Sequence, residues 1–175
     1  MNSEPKVHGS ASSNLAIIAL GSNLGDSPQI LREAISRLQA LSEKPLRRSS
    51  LWQTAPVDCP PGSPPFLNAV VAFELLAGET PKSLLEKLQV LEKEFGRRPK
   101  QLLNAPRPLD LDLIAFANEA HNTPQLTLPH PRAHLRRFVL APLAEIAPEL
   151  VLPAQSKTVA KLLAALPDDE TARRL

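Results

Sequence analysis

Aromatic side chains are nearly missing from this chain: five phenylalanines, one tryptophan and no tyrosine among 175 residues. A module that reads nucleic acid by stacking bases on an aromatic-studded sheet is hard to build from that set. Net charge is only +2, which excludes a general polyanion-binding surface and leaves any basic character local. The single cysteine, Cys59, excludes an internal disulfide and fits a reducing compartment. It sits in a proline-rich loop with no histidine near it in sequence, and reads as incidental. No apolar run approaches the roughly 20 residues that cross a bilayer. Residues 1–14 are polar and lack an apolar h-region, so they read as a disordered tail rather than a secretory signal. A turn rich in Gly follows the first apolar run, but the G-x-x-x-x-G-K-S/T phosphate loop is absent. Together these absences predict a cytoplasmic protein with neither nucleic-acid nor membrane partners, folded as one domain over 15–175.

Proline, by contrast, is abundant at nineteen, and stiffens long loops. Charge is concentrated in one place. Arg97, Arg98, Lys100 and Arg107 lead into Leu109, Asp110, Leu111, Asp112 and Leu113, where apolar and acidic residues alternate. Period-two alternation marks a strand with one buried face, so Asp110 and Asp112 project together, Cα atoms roughly 7 Å apart. Two neighbouring carboxylates repel, and a hard divalent cation relieves that repulsion. The fork of an arginine matches phosphate oxygens. Metal-holding acids beside such arginines suggest chemistry on a nucleoside triphosphate. Taken alone, the acid pair also suits a solvated sheet face or a metal-dependent glycosyl- or nucleotidyltransferase, and the cations suit a solvated loop.

The elements follow in order. Leu15–Leu20 is an apolar run that predicts a buried central strand. Ser27-Pro28 predicts the cap and first turn of a helix over 28–42. A second strand is expected over 46–54, then a stiff loop from Thr54 to Pro65 and a third strand over 66–76. Thr80-Pro81 predicts the start of a second helix, which Gly96 ends. The fourth strand is 109–116, followed by a short strand over 125–128, a helix through Val139–Ala147 with Pro142 near its first turn, and a last helix over 156–166 with a frayed charged end. The fold class is therefore α+β: a ferredoxin-like βαββαβ antiparallel sheet, both main helices on one face, with additional C-terminal helices.

Four stretches in this order carry a resemblance: A-L-G-S-N-L-G at 19–25, P-F-L-N-A-V-V at 65–71, A-P-R-P-L-D-L-D-L-I at 105–114, and L-P-H-P-R at 128–132 with R-F-V-L-A-P-L after it. The chain resembles the 6-hydroxymethyl-7,8-dihydropterin pyrophosphokinases of folate biosynthesis over about residues 15–152. The resemblance implies Mg²⁺-dependent transfer of pyrophosphate from ATP to the pterin hydroxymethyl group, with AMP released, by a monomer. It implies two Mg²⁺ ions on Asp110 and Asp112, and catalytic roles on phosphate for Arg97 and Arg107. ATP as co-substrate would meet Glu92, Arg97, Arg107, Leu111, His130 and Arg136. The reduced pterin would meet Thr54, Pro56, Val57, Phe66, Asn68, Asp110 and Phe138, the two phenylalanines as plates and the amide reading the ring edge, with Gly21, Ser22 and Asn23 shaping that side. The chain departs from the family pattern in the lid loop, at Pro99, Leu103, Asn104 and Ala105.

Overall fold

The computed structural model describes residues 14–98, 105–167 and 172–175; of the substituted lid positions, Pro99, Leu103 and Asn104 lie outside the described residues, as do residues 1–13 of the expected tail. Asn14 is tied to the body at both ends: its side chain donates to the Leu75 carbonyl at 3.2 Å and its own carbonyl accepts from the Leu75 N–H at 3.0 Å.

The elements run β1 (Leu15–Ser22), α1 (Ser27–Leu38), β2 (Arg47–Arg48), β3 (Trp52–Thr54), β4 (Phe66–Glu74), α2 (Pro81–Glu94), β5 (Asp110–Phe116), β6 (His121–Asn122), β7 (Thr127–Leu128), α3 (Arg137–Ile146), α4 (Val159–Ala165) and β8 (Arg173–Arg174). The main sheet is ordered β5-β1-β4-β3-β8, with β2 also on β4, and every neighbouring pair is antiparallel. The first four of those strands, with α1 and α2, are the ferredoxin-like core.

Both faces of that sheet are covered, which is why β1 reads as an unbroken apolar run. Ile18, Leu20, Val71, Phe73, Leu111 and Leu113 meet Leu31 and Leu38 of α1 and Leu84 and Leu88 of α2. On the opposite face Ile17, Ala19, Val70 and Ile114 meet Val139, Leu140 and Leu143 of α3 and Val159 of α4. The alternation in β5 breaks at Ile114 because of a bulge: Ile18 pairs with Leu113 and Ile17 with Ala115, so Ile114 is the extra residue. Among the described residues no helix is long and apolar enough to cross a membrane.

Local chemistry sets the boundaries. Asp26, not Ser27, caps α1, accepting from the Gln29 N–H at 3.1 Å with Pro28 in the first turn, while Ser27 is drawn inward to a 2.8 Å bond with Ser22. Thr80 and Ser83 form a capping box on α2, and Gly96 closes it at φ 87°. The second expected strand is two short pieces, because Ser49 turns its hydroxyl onto the Val70 N–H and interrupts the ladder. Pro142 lies inside α3 rather than in its first turn, and has no N–H to offer the Phe138 carbonyl. Of the expected frayed end, residues 168–171 lie outside the described residues, while Arg173 and Arg174 pair with Gln53 and Trp52 as an edge strand.

Candidate active site

One register row crosses the sheet. Asp110 of β5 stands opposite Gly21 of β1, Gly21 opposite Asn68 of β4, and Asn68 opposite Trp52 of β3. Directly opposite residues share a face, so the row is a floor with Asp110 and Asn68 raised on either side of a bare glycine. A Cβ on Gly21 would meet the Asn68 Oδ1 at 3.4 Å, Phe66 at 3.6 Å and the Asp110 Cβ at 3.9 Å. Asn68 is buried and donates to the Thr54 Oγ1 at 2.8 Å, which fixes its amide and leaves the Oδ1 toward the floor. Above this floor opens a cleft of about 400 Å³, walled by Phe66 and Phe138 and reaching Asp112 and His130.

The two acids occupy the face opposite Leu111 and Leu113, as alternation predicts. They do not stand unpartnered. Asp110 is gripped by Arg107 and, at 2.9 Å, by Arg97, while Arg136 approaches Asp112 at 3.9 Å. Burial first, and then the adjacent Asp110 charge, push the Asp112 carboxyl up from its usual range. Arg107 also lies over the Phe66 ring, 5.6 Å from its centroid, and Arg136 over Phe138 at 5.3 Å. The Arg107 Nε is buried without a hydrogen-bond partner among the described residues.

Buried polar groups behind the cleft hold these arginines. Glu92 of α2 accepts the Leu111 N–H at 2.7 Å and the Arg97 guanidinium. Burial raises its carboxyl, and the hydrogen bond from Leu111 and the Arg97 charge pull it back only in part. Asn23 exchanges main-chain and side-chain bonds with Arg107 (3.2 and 3.0 Å) and donates to the Pro64 carbonyl at 3.3 Å, joining the arginine segment to the proline-rich loop.

His130 accepts the Arg132 N–H on Nδ1 at 3.2 Å, which assigns its proton to Nε2 when the ring is neutral. That Nε2 faces the Arg136 guanidinium at 3.5 Å, donor against donor. Burial, then the Arg136 charge, lower the ring to about 4. An anion between His130 and Arg136 would satisfy both donors.

Of the residues expected to meet the pterin, Thr54, Val57, Phe66, Asn68, Asp110 and Phe138 line this cleft. Arg97, Arg107, Asp112, His130 and Arg136 line it too. Pro56 and Glu92 do not, and Leu111 lines a second cavity of about 280 Å³ together with Leu85, Leu113, Gln125 and Leu126. The two cavities share Asp112 and His130. Sequence reasoning passed over that second cavity, since its Thr123–Thr127 turn carries no chemical signature. It also passed over Asp58, Arg132 and Leu135, and read Cys59 as incidental although it stands on the cleft wall.

Comparison with known proteins finds relatives in sequence and in fold. The family model for 7,8-dihydro-6-hydroxymethylpterin-pyrophosphokinase (HPPK) matches residues 17–148. The chain is 42% identical over 144 residues to the 2-amino-4-hydroxy-6-hydroxymethyldihydropteridine pyrophosphokinase of Bacillus subtilis, covering 82% of this chain and 84% of that one. It is 38% identical over 151 residues to the protein of that name from Pseudomonas aeruginosa, covering 86% and 90%. Among solved structures, wild-type HPPK-DHPS of Plasmodium falciparum superposes with a TM-score of 0.67 at 14% identity, over 92% of this chain and 48% of that one. An HPPK-DHPS solved in complex with substrates gives 0.70 at 12% identity, over 93% and 46%. At such identity these likenesses speak for the fold alone, and this chain spans about half the length of those solved chains.

Proposed function

This chain belongs to the 7,8-dihydro-6-hydroxymethylpterin-pyrophosphokinase family and is a pyrophosphokinase of folate biosynthesis, and we propose that it moves the β,γ-pyrophosphoryl group of ATP onto the hydroxymethyl oxygen of the reduced pterin, with AMP leaving. The observation that carries this reading is the floor row itself: Phe66 and Phe138 on the walls of the cleft, an amide at its base, and the acid pair two strands away across Gly21. In it the pterin stacks between the rings with its edge on Asn68 and its hydroxymethyl arm toward Asp110. The nucleotide enters from the second cavity, its base near Leu85, Leu111 and Leu113, and its phosphates pass Asp112 and His130 into the first.

The acid pair suits Mg²⁺. That ion is held by one or two carboxylates, with phosphate oxygens and water completing its shell. Among the described residues no third His, Cys, Asp or Glu joins Asp110 and Asp112, which leaves room for those oxygens. The like charge of Asp110 beside Asp112 is what a cation between them would relieve. Two Mg²⁺ ions, when bound, would neutralise the phosphates and make the β-phosphorus easier to attack.

The chain's own residues do the positioning. Arg107 and Arg97 let go of Asp110 to take phosphate oxygens, and the unmatched Arg107 Nε supplies a further donor. His130 donates from Nε2 beside Arg136, holding the triphosphate at the junction of the cavities. Departure of Arg107 also uncovers the Phe66 ring face, and the turn of Arg136 toward the triphosphate uncovers that of Phe138, so phosphate binding opens the pterin slot.

Mass spectrometry of the products from ATP, Mg²⁺ and 6-hydroxymethyl-7,8-dihydropterin tests the reaction: AMP and the pterin diphosphate are expected, and ADP would overturn it. Asp110→Asn is expected to abolish turnover while circular dichroism stays native, with a lowered melting temperature because Arg97 and Arg107 lose a charged partner. Full activity of that variant with Mg²⁺ would remove the acid pair from the mechanism.

A further inference from the structure

Glu145 lies outside the cleft lining, yet its carboxylate gathers four donors. The Ser50 N–H and Oγ–H donate to its Oε1 at 3.1 and 2.7 Å, the Trp52 Nε1–H to its Oε2 at 3.2 Å, and Arg174 reaches it at 3.0 Å. A carboxylate offers about four lone-pair sites, so its capacity is filled. Burial pushes the carboxyl up, but the bonds from Ser50 and Trp52 outweigh it and hold Glu145 below its usual range.

These partners join two walls of one slot. Glu145 stands on α3 seven residues after Phe138, about two turns, so both project from the same side of the helix. Trp52, which it grips, pairs across β3 and β4 with Asn68, and Thr54 pairs with Phe66. One plate of the slot is therefore on the helix, the other plate and the amide are on the strands, and Glu145 is the polar tie between them. The apolar stripe Val139, Leu140 and Leu143 already holds α3 to the sheet. Apolar burial is non-directional and leaves tilt and slide free, whereas a filled carboxylate does not. The chain end reinforces the tie from outside: β8 pairs with Trp52 and Gln53, Arg173 donates to the Gln53 Oε1 at 2.8 Å, and the Leu175 N–H donates to the Leu51 carbonyl at 2.9 Å.

We infer that Glu145 is a positioning residue that, seconded by Arg174, fixes the spacing between Phe138 and the Phe66–Asn68 wall and so sets affinity for the flat ring. This rests on the reading of that slot as the pterin site. The test is calorimetry on the full chain with two probes, α,β-methylene-ATP plus Mg²⁺ alone, and 6-hydroxymethylpterin added in its presence. Glu145→Ala is expected to raise the pterin Kd about tenfold or more, the worth of hydrogen bonds to a charged group, with the nucleotide Kd moving less than about twofold. Glu145→Gln keeps an oxygen for Ser50 and is expected to recover most of the loss. A chain ending at Ala172 is expected to lose pterin affinity by about threefold, as befits an exposed ion pair and an edge strand. Trp52, the only tryptophan, reports the tie directly, and its emission is expected to shift in Glu145→Ala and less in Glu145→Gln. Shifted emission with unchanged pterin affinity would overturn the inference, as would equal loss of both ligands, the mark of a merely structural role. Wild-type protein that bound nucleotide but no pterin would overturn the slot reading instead.

Discussion

Removing the Glu92 side chain separates holding the site together from touching its substrates. Glu92 is 6% exposed and carries two loads, the Leu111 N–H and the Arg97 guanidinium. In Glu92→Ala the Leu111 N–H is left buried without an acceptor, which costs about 1–3 kcal/mol. Arg97 keeps Asp110 at 2.9 Å, so its loss lies below the 3–5 kcal/mol typical of breaking a buried pair, at about 1–2 kcal/mol. The sum, about 2–5 kcal/mol, predicts a fall in melting temperature of about 10 °C for a chain of this size. Glu92→Gln retains an oxygen for Leu111 but turns an amide N–H₂ toward Arg97, and about half that fall is expected. Urea denaturation followed by circular dichroism measures both variants, and amide exchange at Leu111 reads the specific bond. Because Arg97 then rests on Asp110 alone, turnover is expected to drop in both even where the protein is fully folded. Stability within about 1 kcal/mol of wild type, together with a still-protected Leu111 amide, would show that Glu92 does not tie α2 to β5.

Three further outcomes are expected. Phe138→Ala weakens pterin binding by about 1–3 kcal/mol while leaving nucleotide binding near wild type, as calorimetry with each ligand would show; equal losses would count against stacking as the source. Gly21→Ala leaves the melting temperature close to wild type, since the new methyl meets its neighbours at 3.4 Å and beyond. It raises the pterin KM all the same, because it fills the floor between Asn68 and Asp110; an unchanged KM would place the ring elsewhere. His130, with a folded pKa of about 4 against 6.5 in the free side chain, contributes stability that is complete above pH 6.5 and is lost as pH falls toward 4, because the unfolded chain takes up the proton first. Urea midpoints from pH 7 to pH 4.5 in wild type and His130→Gln would show it as a difference that shrinks with acidity, and an imidazole titrating near 6.5 by NMR would refute it.

Much of the architecture was legible in order along the chain. The unbroken run of β1, the Thr80-Pro81 start and Gly96 stop of α2, and the alternation placing Asp110 and Asp112 on one face are local features, written in periodicity and caps, and each appears where it was expected. The acid pair and the arginines leading into it stood out by residue type and order, whereas the two phenylalanines and Arg136 came only with the family resemblance, and the fold brings them all to one cleft. What lay beyond the sequence were relations between distant segments. Nothing in A-L-G-S-N says that Gly21 will lie between Asp110 and Asn68, because register across three strands is settled by which faces bury together. Asp26 rather than Ser27 caps α1 because Ser22, five residues away, claims the serine hydroxyl. The bulge at Ile114, the pairing of Arg173–Arg174 with β3, and the grip of Glu145 on Ser50 and Trp52 likewise depend on chain segments meeting only after the sheet has closed. Periodicity tells a residue which way to face; only the packed sheet decides what it faces.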